Sequence, residues 1–181
     1  MEIMRIPLNY GSLAGIIYFA VFLFFYIIGQ NPLTEMGFLF TFWIPILFIY
    51  LGIKKFREEV QGGFITYGKA LGQGTLITLV FSSFHAILIY LFLVLVDSSL
   101  IDAVIAESIA QYEKGAEQIR GLLGEDAFDE MVDRLENTGV NEIAMGDFFG
   151  KFMGGFFISL IIAAILKRNR SPFDEELATD E

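Results

Sequence analysis

Residues 10–28 read YGSLAGIIYFAVFLFFYII. The stretch holds no Asp, Glu, Lys or Arg. At 1.5 Å per residue it makes a helix about 28 Å long, close to the ~30 Å hydrocarbon core of a bilayer. Peptide groups in hydrocarbon have no water to bond, so such a run must satisfy them by coiling. A cleaved signal sequence is the competing reading. The run is longer than a signal h-region, and no small-x-small site follows in Gly29-Gln30-Asn31-Pro32. It reads as a retained span.

Three further runs follow the same rule. Residues 36–53 are uncharged, and residues 70–96 are uncharged apart from the lone histidine, His85. Residues 148–166 form the fourth, with Lys151 snorkelling toward the interface. Hydrophobic residues make up 55% of the 181, too many for the remaining polar sequence to cover in a soluble fold. The expected fold is all-α, a four-helix transmembrane bundle. Residues 1–170 form one integral domain, with a helical excursion at 97–147. Residues 171–181 are an acidic, disordered tail.

Lysine and arginine set the expected orientation. Arg5 precedes span 1, Lys54, Lys55, Arg57 and Lys69 lie between spans 2 and 3, and Lys167, Arg168 and Arg170 follow span 4. The positive-inside rule places these eight, and both termini, in the cytoplasm. The net charge of −10 argues against nucleic acid as a partner. There is no cysteine, so disulfides and thiolate sites are excluded.

The segment 97–147 carries 13 acidic and 3 basic residues. Leu100, Ile101, Val104, Ile105, Ile109 and Tyr112 recur at helical spacing, as do Phe128, Met131, Val132 and Leu135. The pattern predicts two amphipathic helices, a gap punctuated by Gly121 and Gly124, and a third helix capped by Asn141 that runs into span 4. The first is expected to continue from span 3. The acidic excess argues against a lipid-surface anchor.

Small residues recur every fourth position: Gly11 with Gly15, Gly68 with Gly72, and Gly146 with Gly150 and Gly154. A second stripe, Gly155, Ser159 and Ala163, runs beside the last. Lipid tails are as apolar as leucine, so helices associate by close approach, which small residues permit. Packing within the chain is expected for at least two stripes, and the second face of span 4 leaves a homodimer open. Pro45 is a candidate kink, because it lacks a backbone donor. Trp43 reads as a packing residue.

Span 3 is the most polar. Thr75, Thr78, Ser82 and His85 share one face, which should point into the bundle. An ionisable group in a span is a functional candidate by default. Against this, no acidic partner for His85 is evident within the spans. Asp147 and Lys151, four apart, read as an interfacial pair that fixes helix depth. No nucleophile, metal-site or phosphate-loop motif is present, so no catalytic, cofactor or metal residue is assigned.

The stretch Glu59-Val60-Gln61-Gly62-Gly63-Phe64-Ile65-Thr66-Tyr67-Gly68-Lys69-Ala70-Leu71-Gly72-Gln73-Gly74 resembles a bacterial membrane family, domain of unknown function family 4199. Its likeness lies in a short basic loop and a G-G-F-I-[ST]-[FY]-G-x-A-[LF] approach to span 3. The excursion and the run Ile-Ile-Ala-Ala-Ile-Leu-Lys-Arg at 161–168 fit as well. The resemblance covers residues 8–170. It implies four spans and a bacterial inner-membrane setting, and no activity. His85 belongs to none of its motifs. The expected function is a non-enzymatic structural or interaction component, with the lipid bilayer and a membrane protein or second copy as partners. The alternative is a small transporter or channel-like subunit using the polar face around His85.

Overall fold

The computed structural model describes residues 2–33 and 41–170, and the regular elements there are helical. They are α1 (Glu2–Ile27), α2 (Trp43–Lys55), α3 (Tyr67–Leu95), α4 (Ser99–Lys114), α5 (Ala116–Leu123), α6 (Glu125–Glu136) and α7 (Val140–Leu166). A π-helical turn, Phe56–Val60, extends α2. Among the described residues there is no strand, only an isolated antiparallel bridge between Ile65 and Arg168.

Three helices are long and apolar enough to cross a membrane: Met4–Ile27 within α1, then α3 and α7. The first part of the expected second span, and the tail at 171–181, lie outside the described residues. Within that span α2 has 13 residues and buries Ile44, Phe48, Ile49 and Ile53 against the other helices.

α3 is the central helix, packed along both α1 and α7. Close approach requires missing side chains at the crossing points. A Cβ on Gly11 would sit 2.7 Å from the Ile77 carbonyl oxygen, and one on Gly15 would press on Phe84. Gly74 and Gly155 serve α3 and α7 likewise: a Cβ on Gly74 would lie 2.8 Å from Ser159, and one on Gly155 would strike Thr78. Three apolar clusters fill the bundle along its length. One joins Ile6, Ile53, Ile77 and Leu166, another Ala14, Ile44, Phe48 and Phe81, and the third Phe22, Ile89, Phe92 and Ile101.

Several local expectations need correction. α3 does not continue into α4. It stops at Leu95, and Asp97 Oδ1 accepts bonds from the Ser99 amide (2.9 Å) and hydroxyl (2.6 Å), starting a new helix. This is the ordinary preference of aspartate for a helix start over a helix interior. Gly121 lies inside α5 rather than in a gap. Gly139, not Asn141, caps α7, its amide donating to Glu142 Oε2 at 3.0 Å. Trp43 is 48% exposed on the outside of the bundle. At Pro45 the helical pattern is interrupted just upstream: Thr41 is helical, Phe42 is a turn, and α2 starts at Trp43. Pro45 lacks the amide that would bond the Thr41 carbonyl one turn earlier, and the turn at Phe42 lies between the two residues.

Candidate functional site

α3 and α7 carry the site. His85 lies about 27 Å along α3 from Tyr67, and Asp147 about 28 Å along α7 from Leu166. The Ile65–Arg168 bridge ties the beginning of α3 to the chain leaving α7. The two helices are thus in register at that end, and equal rises bring His85 and Asp147 to one level. His85 Nδ1 stands 2.8 Å from Asp147 Oδ2, and Lys151 Nζ bonds Asp147 Oδ1. The carboxylate is shared between two cationic or donor groups from two helices.

The three side chains are withdrawn from water. Relative exposure is 2% for the side chain of His85, 11% for Asp147 and 17% for Lys151. Tyr18 of α1 closes the third side. Its ring meets His85 edge-on at 4.8 Å between centroids, and Lys151 Nζ lies 4.7 Å from the centre of the same ring. The Tyr18 hydroxyl is hydrogen-bonded to Thr41.

Charge and donor accounting follow from this geometry. An ionised Asp147 neutralises Lys151 and can only accept, so Nδ1 of a neutral His85 carries the proton it donates. Nε2 is then an acceptor, buried and without a hydrogen-bond partner among the described residues. With His85 neutral and Asp147 ionised the three side chains carry no net charge. A cavity of about 180 Å³ adjoins it, lined by His85, Asp147, Lys151, Tyr18 and Thr41. The lining continues through Phe25 to Pro32 and Leu33, just beyond the end of α1 away from Arg5.

The residues singled out in the sequence divide. His85 reaches the site. Thr78 and Ser82 are fully buried but take no part in it: Thr78 Oγ1 lies 3.4 Å from Ser159 Oγ, and Ser82 Oγ donates to the Thr78 carbonyl at 2.9 Å. Thr75 donates to the Leu71 carbonyl at 2.9 Å. These bonds close the polar face of α3 below His85 at Thr78 and Ser82.

The glycines divide too. Gly11 and Gly15 pack on α3. Among the described residues a Cβ on Gly68 or Gly72 of α3, or on Gly146, Gly150 or Gly154 of α7, would meet nothing within 4 Å, and α7 turns its other stripe, Gly155, Ser159 and Ala163, toward the core. The Gly146, Gly150 and Gly154 stripe lies along a lateral groove of about 550 Å³, bounded opposite by Phe42, Pro45 and Ile46 and reaching Tyr18, Asp147 and Lys151 of the site.

Sequence reading missed Asp147 as the partner of His85, and missed Tyr18 and Thr41. An available signal was the spacing of Asp147 and Lys151, which puts both on one face of an apolar helix. Among the described residues no group of three or more His, Asp or Glu side chains could hold a metal.

A family model described as Protein of unknown function (DUF4199) matches residues 9–168. No curated protein matches the chain, and no solved structure does.

Proposed function

Because the chain belongs to the DUF4199 family, which brings no activity with it, we propose its function from geometry: a non-enzymatic component of the bacterial inner membrane. In this reading it spans the bilayer four times and receives a ligand or proton from one side without passing it on. One observation carries the reading. The buried His85–Asp147–Lys151 cluster borders a cavity extending toward the end of the bundle away from Arg5, while Thr78, Ser82 and Ser159 pack together on the other side of His85; a lateral groove also reaches Asp147 and Lys151.

Residues 36–53 complete the four spans, since the uncharged run is long enough and α2 is packed among α1, α3 and α7. Arg5, Lys55, Arg57, Lys69, Arg168 and Arg170 gather at one end of the bundle, around two neighbouring cavities and the Arg57 bond to the Leu166 carbonyl. That end faces the cytoplasm by the positive-inside rule. Both termini are then cytoplasmic, and α4, α5 and α6 lie on the outer side. There they offer a docking surface to a membrane partner or second copy.

A transporter is the second reading, favoured by the ionisable cluster itself. Proteoliposomes separate the two. The proposal expects the wild-type protein to add no proton or solute flux over empty vesicles. A flux that His85→Ala abolishes would establish the transporter. A reporter fused after Glu181 should be active in the cytoplasm, and periplasmic activity would reverse the orientation. Deleting residues 100–137 should release a partner crosslinked in native membranes while the spans still insert. Retention of that partner would rule out the outer helices as the docking surface.

A further inference from the structure

We infer that the basic end of the bundle holds a phosphate-binding pocket, formed by Lys69, Arg168 and Arg170 around the ring of Phe64. It is separate from the His85 cluster and does not rest on the reading given for it. The cavity measures about 360 Å³, and Gln61 and Thr66 also line it.

Three cations line it. Among the described residues no Asp or Glu lines the cavity, and none pairs with Lys69, Arg168 or Arg170. The acidic residues of the adjoining turn are already engaged. Glu58 Oε1 accepts from Arg57 Nη2 at 2.6 Å and Nε at 3.0 Å, and Glu59 pairs with Lys55 at 3.5 Å. Like charges held this close repel unless an anion sits between them.

The backbone holds them close. Ile65 and Arg168 exchange both amide bonds at 2.9 Å, fixing the chain after α7 against the loop before α3. In extended chain, residues two apart share a face. Arg168 and Arg170 obey this: their guanidinium carbons lie 5.3 and 5.6 Å from the Phe64 ring centre. The ring orients both groups and leaves their charge uncancelled. Lys69 Nζ donates to Gln61 Oε1 at 2.7 Å, which aims the ammonium and leaves two N–H groups for a ligand.

Two planar forks and an ammonium supply more donors than a single carboxylate accepts. A phosphate, with several anionic oxygens, matches them. Either an anionic lipid headgroup or a soluble phosphomonoester brings that chemistry.

The test uses the full chain in phosphatidylcholine nanodiscs. One arm adds phosphatidic acid to the discs. The other titrates glycerol phosphate into plain discs. Binding is read by native mass spectrometry and by the rise in unfolding temperature. Wild type should bind in at least one arm, and the arm identifies the source. Arg168→Gln/Arg170→Gln should bind about tenfold more weakly or worse, and so should Lys69→Gln, from a different element. The three side chains are exposed and the Ile65 bridge uses backbone only, so these variants keep the fold. Lys54→Gln removes the same single charge as Lys69→Gln, but outside the cavity, and should leave binding unchanged. Absence of binding in both arms would overturn the inference. So would an equal loss in Lys54→Gln, which would reduce the effect to general surface charge.

Discussion

Asp147→Ala tests the buried cluster most directly. The substitution removes the one anion that His85 and Lys151 share. At 11% and 17% side-chain exposure the ion pair is largely desolvated, so breaking it belongs with buried pairs, which cost about 3–5 kcal/mol, and not with surface pairs. The parts give a similar figure. A lysine at the centre of a membrane helix costs about 2.5–3.5 kcal/mol, and Lys151 lies above the centre, about 22 Å from Leu166, so about 2–3 kcal/mol applies. The lost bond to His85 adds about 1 kcal/mol. The total is about 3–4 kcal/mol, which lowers the unfolding temperature by roughly 6–16 °C on the scaling for chains of this length. Asp147→Ala/Lys151→Ala removes the stranded charge as well and should recover roughly half of the loss. Circular dichroism during unfolding in neutral detergent measures both. A loss below about 1 kcal/mol for Asp147→Ala, or equal losses for single and double variants, would show that the charges are not held out of water as described.

Gly155→Val drives a branched side chain into Thr78 and should destabilise by about 1–3 kcal/mol, whereas Gly150→Ala meets open space and should be neutral or stabilising; unfolding midpoints in detergent decide this. Asp97 is held below the usual carboxylate range by its bonds from Ser99 and then from the Tyr26 hydroxyl. Its contribution is therefore complete above an unfolded pKa near 4 and disappears as pH falls through the lower folded value. Asp97→Asn should show less acid sensitivity across that window than wild type, and parallel unfolding curves from neutral to strongly acid pH would refute this.

Two features close the polar face of α3 against its neighbours. Hydroxyls at Thr75 and Ser82 bond back to carbonyls one turn earlier on their own helix, which satisfies them without water. Thr78 meets Ser159 where Gly155 and Gly74 let the two backbones close. The same small residues that bring α3 and α7 together thus close the line of approach between those two helices, while a lateral groove past Asp147, Lys151 and Gly155 runs beside them. The cluster at His85 lies above that closure, and α1 supplies Tyr18 where α7 supplies charge.

Much of the bundle was legible because hydrocarbon imposes a simple rule on uncharged runs. The sites were less legible, and for identifiable reasons. His85 and Asp147 are 62 residues apart, joined through three helices whose path no local pattern fixes. Their common depth follows from the register of α3 against α7, set at the Ile65–Arg168 bridge and where Gly74 meets Ser159 and Gly155 meets Thr78, and the bridge has no periodic signature. With that register known, counting rises along α3 and α7 aligns the two residues. Without it, α7 could slide by several turns, and Asp147–Lys151 reads as an interfacial pair. The two small-residue stripes of α7 pose the same difficulty. Gly150 and Gly155 are equally small, and only the shape of α3 at Thr78 and Gly74 selects Gly155. The basic end is harder still. Lys69, Arg168 and Arg170 are legible as a topology signal, which accounts for their sign but not for their convergence on Phe64. That convergence comes from tertiary contact, and a charge count contains no information about it.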